Sequence, residues 1–83
     1  MRISLRYFAS LRETIGVAGE SLETDCEDVG CLRQRLIARG GAYALGLDSG
    51  RPVRVAVNQV MAQDQTALSA GCEVAFFPPV TGG

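Results

Sequence analysis

The run Glu73-Val74-Ala75-Phe76-Phe77-Pro78-Pro79-Val80-Thr81-Gly82-Gly83 constrains the whole chain. Its apolar, aromatic first half reads as a final strand. A strand stops at two prolines, because they lack the N–H of a sheet ladder and hold the backbone extended. Pro78 and Pro79 therefore project the last four residues away from the body, and the α-carboxylate on Gly83 is presented. Glycine at both terminal positions removes every Cβ, which makes the segment slender enough to thread a narrow channel and lets another backbone approach closely. A terminal Gly-Gly alone is a weak signal, since chain ends commonly fray. Joined to a strand, a diproline and a short spacer, it is a strong one.

The rest of the chain supplies a body for that strand. Arg2 to Phe8 alternates with period two, placing Ile3, Leu5 and Tyr7 on one face and Arg2, Ser4, Arg6 and the anomalous Phe8 on the other. Ala9 to Ile15 shifts to helical spacing and is closed by Gly16. Glu20 to Thr24 reads as a thin second strand with Leu22 inward. Asp28 is a helix N-cap, and Val29, Leu32, Leu36 and Ile37 form the apolar stripe of a main helix from about 29 to 39, ended by Gly40-Gly41. Gly30 is a poor residue for a first helical turn. Residues 42–50 read as loop with one helical turn at most. Arg51 to Val57 alternates again, and Asn58-Gln59 is a two-residue hairpin turn into a short strand at Val60-Met61-Ala62. In the last strand, Val74 and Phe76 share the inward phase and Phe77 faces out. Phe8, Phe77 and Met61 then lie on the exposed sheet face and make a docking patch if they are contiguous.

The order of strand, strand, helix, strand, short strand, strand predicts one α+β domain of two layers, a mixed sheet of about five strands covered on one face by one main helix. A crossover through the helix, with the last strand beside the first, is the β-grasp (ubiquitin-like) arrangement. The expected division is a body over residues 1–79 and a flexible tail over residues 80–83. At 83 residues the chain holds one core.

Composition excludes several functions. The sequence has no His, so neither a Ser-His-Asp nor a Cys-His pair is available, and the carboxylates are scattered; no catalytic constellation is expected from this chain alone. Cys26, Cys31 and Cys72 are odd in number and lack CxxC spacing, so neither a disulfide framework nor a metal site is indicated, and the thiols read as small apolar fillers or incidental thiols. A net charge of −1 gives no general attraction to nucleic acid. No apolar run reaches membrane-spanning length, and no leader pattern precedes the first strand; the expected compartment is cytoplasmic. All eight basic residues are Arg, so no side-chain amine exists for linkage to the chain's own tail, and self-conjugation is limited to the α-amine of Met1.

The sequence resembles the MoaD-type small subunit of molybdopterin synthase, a ubiquitin-like sulfur carrier, over essentially its whole length. The likeness is carried by Tyr7-Phe8-Ala9 with Leu11-Arg12-Glu13, by Leu32-Arg33-Gln34, by Val55-Ala56-Val57-Asn58-Gln59 and above all by Gly71 to Gly83. The resemblance implies a non-catalytic, sulfur-donating subunit with no bound cofactor. An E1-like adenylating enzyme would use ATP to activate Gly83, a sulfurtransferase would supply sulfur, and the resulting thiocarboxylate would donate it to cyclic pyranopterin monophosphate in molybdenum cofactor biosynthesis. The implied partner is the synthase large subunit, in a heterotetramer of two small and two large chains. Carried over by position, Gly82 and Gly83 would be the reactive end, and Phe8, Met61, Phe77, Pro78, Pro79, Val80 and Thr81 the partner interface. Sibling readings are a sulfur carrier for thiamine or tRNA thiolation and a protein modifier joined through Gly83; a non-covalent interaction domain is the plainest.

Overall fold

The computed structural model describes residues 1–48 and 52–79. Alternation in the first strand sets the frame: β1 (Arg2–Tyr7) buries Ile3, Leu5 and Tyr7 and exposes Arg2, Ser4 and Arg6, as a strand with one covered face must. β2 (Gly19–Glu23) lies antiparallel to it, with Ile3 opposite Leu22. β3 (Arg54–Val57), β4 (Val60–Ala62) and β5 (Glu73–Phe77) complete a five-stranded sheet in the order β2-β1-β5-β3-β4. β1 and β5 run parallel and the other pairs antiparallel, so the sheet is mixed with the last strand beside the first.

The register explains the core. Tyr7 pairs with Phe76 and Phe76 with Val55, while Leu5 pairs with Val74 and Val74 with Val57. These inward rows meet Leu11 of α1 (Ala9–Ile15), Val29, Leu32 and Leu36 of α2 (Val29–Ile37) and Leu47 of α3 (Gly41–Leu47) in a single cluster. Tyr7 stacks on Phe76 with ring centroids 6.3 Å apart, so two of the largest buried side chains fix β1 and β5 together.

Several boundaries differ from the sequence reading, each for a local reason. α2 ends at Ile37 rather than near 39 because its last turn tightens: Arg39 N–H donates to the Leu36 carbonyl and Gly40 N–H to Ile37. Residues 41–47 form a helix, not a loop. Gly40, at φ 74°, does stop α2, but Ala42, Ala44 and the buried Leu47 restart helical packing at once, and Gly46 lets α3 press closely on Leu11 of α1. Among the described residues, α3 thus joins the main helix α2 and the short α1 against the sheet. β3 begins at Arg54 because Arg54 already pairs with Phe77; one step further its partner is Pro78, which has no N–H. Asn58 and Gln59, at φ 50° and 68°, form the expected tight turn between β3 and β4.

The start of α2 accounts for Gly30 and corrects the reading of the cysteines. Asp28 caps it as expected, its Oδ1 accepting from Cys31 N–H at 2.8 Å. The connection from β4 to β5 supplies the rest: Val29 N–H donates to the Thr66 carbonyl and Gly30 N–H to Asp64, so the helix's first donors are met from another segment. Gly30 is explained by that contact, since a Cβ there would lie 3.3 Å from both Cβ and O of Asp64. The cysteines are not all incidental thiols. Cys26 and Cys31 form a disulfide, their Cα atoms 5.6 Å apart, with Cys26 two residues before the Asp28 cap and Cys31 on the first helical turn. Cys72 is buried and free.

Candidate functional site

Phe8 owes its position to one residue of backbone. It continues the outward phase of Arg6, donates its N–H to the Phe76 carbonyl at 3.1 Å, and serves as N-cap of α1 in extended conformation. Ala9, next in the chain, takes φ 52° and turns the backbone into the helix. Phe8 is left 42% exposed, with the Arg6 guanidinium 5.6 Å above its ring. Because Tyr7 pairs with Phe76, the parallel register one step on sets Phe8 beside Phe77, which is half-buried on the same outer face.

Met61, 55% exposed, lies on this face too, two strands from β5 and hence about 10 Å across the sheet. Its strand partner is Ala56, and the partner of Ala56 is Ala75, which neighbours Phe77 on the same side of β5. Ala56 and Ala75, both buried, occupy the positions of this row between Arg6 of β1 and Met61 of β4. The sequence candidates did not include these two alanines, although Ala75 shares the phase of Phe77; an alanine carries no signal until its neighbours across the sheet are known. Charge borders the patch. Arg54 stands opposite Phe77, and Arg6 pairs with Glu73 at 3.7 Å.

Pro78 and Pro79 come directly after β5 and are half-buried. Pro78 closes a cleft of about 30 Å³ with Leu11, Thr14, Gly46 and Val53, room for a water rather than a cofactor, so the strand exit is wedged between helices and sheet. The remaining candidates, Val80, Thr81, Gly82 and Gly83, lie outside the described residues.

A polar cluster lies on the helix-covered face of β1 and β2. Glu20 accepts from Tyr43 Oη at 2.7 Å, from Arg39 at 3.0 Å and from Tyr7 Oη at 3.1 Å, joining β2, β1, α3 and the segment after α2. Burial alone would raise the Glu20 carboxyl, but hydrogen bonds from Tyr43, Arg39 and Tyr7 outweigh it and hold the group below its usual range. The Tyr7 phenol is pushed well up, first by burial and then by the Glu20 charge, so it stays a donor. The hydrogen bond to Glu20 raises Tyr43 and stabilises the Arg39 cation, which also lies 4.8 Å over the Tyr43 ring. Among the described residues no group of three or more His, Cys, Asp or Glu is placed to hold a metal, and no helix is long and apolar enough to cross a membrane.

The described residues thus place Phe8, Phe77 and Met61 on the sheet face away from the helices, with β5 ending at Pro78-Pro79 on the same sheet. Known proteins share the fold. Residues 5–83 match the ThiS family. The chain is 41% identical over 81 residues to the molybdopterin synthase sulfur carrier subunit of Haemophilus influenzae, covering 98% of this chain and 99% of that protein. Among solved structures it is similar to SAMP1 of Haloferax volcanii, at 26% identity and a TM-score of 0.78 with both chains fully covered. It is also similar to a chain in the complex of subunits 1 and 2 of the Helicobacter pylori molybdopterin-converting factor, at 25% identity and a TM-score of 0.69, again with both chains fully covered. A family match over nearly all of its length, with a closely matching relative across the same span, establishes that this chain belongs to the ThiS family.

Proposed function

We propose that this protein is the sulfur-carrier subunit of a molybdopterin synthase, with its body ending at Pro79 and residues 80–83 acting as the carrier arm. The observation that carries the reading is the placement of β5. A central strand, locked between β1 and β3, is stopped by Pro78-Pro79 beside the face formed by Phe8, Phe77 and Met61, and the sequence continues into Gly82-Gly83. Likeness to a sulfur carrier over nearly the full chain supports it.

In this reading an E1-like enzyme joins the Gly83 carboxylate to AMP, releasing pyrophosphate from ATP. A carboxylate is a poor electrophile, and AMP supplies the missing leaving group. Sulfur delivered by a sulfurtransferase at the sulfide level attacks the Gly83 acyl carbon, AMP departs, and a thiocarboxylate is left, a soft nucleophile on a slender arm. The large subunit then receives the arm, and sulfur passes to cyclic pyranopterin monophosphate; two sulfurs per dithiolene require two carrier visits. The Helicobacter pylori complex of two subunits supports a large-subunit partner. The outer face suits that contact, being apolar at its centre with arginines at its rim. The setting proposed for this cycle is the cytoplasm.

The test is accurate mass after incubation with ATP, an activating enzyme and a sulfur source. A gain equal to replacement of one oxygen by sulfur, mapped by fragmentation to Gly83, is expected. No gain with an enzyme active on its own carrier would overturn the reading. The likeness to SAMP1, described as a small archaeal modifier protein, favours a second reading in which Gly83 is joined to target lysines. Adducts of higher mass that resist thiol and hydroxylamine would support that instead.

A further inference from the structure

We propose that Cys26 and Cys31 form a thiol–disulfide exchange site at the start of α2, at which Cys31 is the sulfur that meets external thiols and disulfides. The two residues differ in access. Cys26 is 1% exposed, whereas Cys31, on the first turn of the helix, is only partly buried. A thiolate from solution therefore reaches Cys31 Sγ more readily than Cys26 Sγ, which is left as the buried leaving sulfur.

The site is built to open without unfolding the domain. The bond joins residues five apart in sequence, so it closes a short loop and withdraws little freedom from the unfolded chain compared with a long-range bridge. The same junction is held by contacts independent of sulfur. Asp28 caps Cys31 N–H, Thr66 and Asp64 accept from Val29 and Gly30, Leu68 N–H donates to the Glu27 carbonyl, and Asp28 bridges Ala67. These contacts keep both cysteines near bonding distance when reduced, which favours re-formation. A disulfide that is exposed on one side and contributes modestly to the fold belongs to the labile class.

Reduction takes two steps. A thiolate of a dithiol reductant attacks Cys31 Sγ, the Cys26–Cys31 bond breaks, and Cys26 departs as a thiolate that takes a proton from water. The second thiol of the reductant then displaces Cys31 from the mixed disulfide, so the reductant is oxidised by two electrons and the protein gains two thiols. In the reverse direction, the Cys31 thiolate attacks a disulfide, and Cys26 resolves the mixed disulfide.

The first test is mass spectrometry on the full chain. After glutathione disulfide, denaturation without reductant and alkylation with iodoacetamide, one label is expected, on Cys72; after dithiothreitol, all three cysteines are labelled. Three labels in both cases would overturn the proposal. Native Cys26→Ser is expected to take glutathione at Cys31 at least about tenfold faster than native Cys31→Ser takes it at Cys26, in keeping with access to the sulfur. Equal rates would refute the assignment of Cys31. Hydrogen exchange on the wild type distinguishes a local site from a structural staple and needs no variant to fold. On reduction, the amides of Val29, Gly30, Cys31 and Leu68 are expected to exchange faster while those of Val74 and Phe76 hold. Acceleration throughout β5 would mean that the bond supports the whole domain, against the proposal.

Discussion

Ala9 holds a left-handed backbone, φ 52°, that costs a residue with a Cβ about 1–2 kcal/mol. The bend it makes lets a strand become a helix within one residue and leaves Phe8 facing out. Ala9→Gly is therefore expected to raise stability by up to about 1 kcal/mol in urea unfolding, the reverse of the usual effect of glycine at a helical position; a loss would show that the bend carries no strain. Glu20 makes a prediction in pH. Its carboxyl sits below the ordinary 4.5 when folded, so the stability it contributes is present above that value and is lost as pH falls through the lowered one. Tyr7 and Tyr43 sit above the ordinary 10.0, so their contribution is present below that value and is lost as pH rises through their raised ones. Glu20→Gln should flatten the acid limb of a thermal-stability profile; an unchanged acid limb would place the acid-sensitive group elsewhere. Asp28 as a cap was legible, because capping chemistry is local. The reason for Gly30 was not, because its neighbour Asp64 is 34 positions away in the chain.

At the scale of the element, β5 reads most directly from the sequence. Its period-two alternation assigns Val74 and Phe76 inward and Phe77 outward, and the structure agrees. Phe76→Ala should cost about 3–5 kcal/mol, a large share of the 5–15 kcal/mol that holds a domain of this kind, whereas Phe77→Ala, one residue on, should cost about 1 kcal/mol. Similar losses in chemical denaturation would mean that the phase of β5 is not what separates them. The helices were less legible. Gly40-Gly41 correctly stopped α2, yet the next segment forms α3 because Gly46 and Leu47 pack on the core. Breakers mark where one helix ends, and tertiary burial decides whether another begins. The Cys26–Cys31 bond escaped for a related reason: five-residue spacing allows pairing only if the intervening chain reverses, and that reversal depends on how β2 meets α2.

For the molecule as a whole, the apolar face leads to a prediction about assembly. With a large subunit of the kind in the proposed function, Phe8→Ala and Phe77→Ala should each weaken association by about 1–3 kcal/mol by calorimetry, with melting of the isolated chain little changed for Phe8→Ala. Unchanged affinity in both would move the interface to another face. Phe8 and Phe77 were singled out by phase alone, and strand periodicity is enough for that, since a residue out of step with a buried face must point outward. Their placement on one face with Met61 was a different matter. It depends on the order β1-β5-β3-β4 and on Ala56 and Ala75 filling the row between, facts that belong to the register of strands far apart in the chain. Elements whose causes are local follow from the residues themselves: alternation in the strands, the Asp28 cap, the Asn58-Gln59 turn, and the end of β5 at Pro78-Pro79. Which of those elements lie side by side is settled by packing, because strand order, the restart at α3, the pairing of two cysteines and the placing of three apolar residues on one sheet face depend on burial between segments that no short window contains.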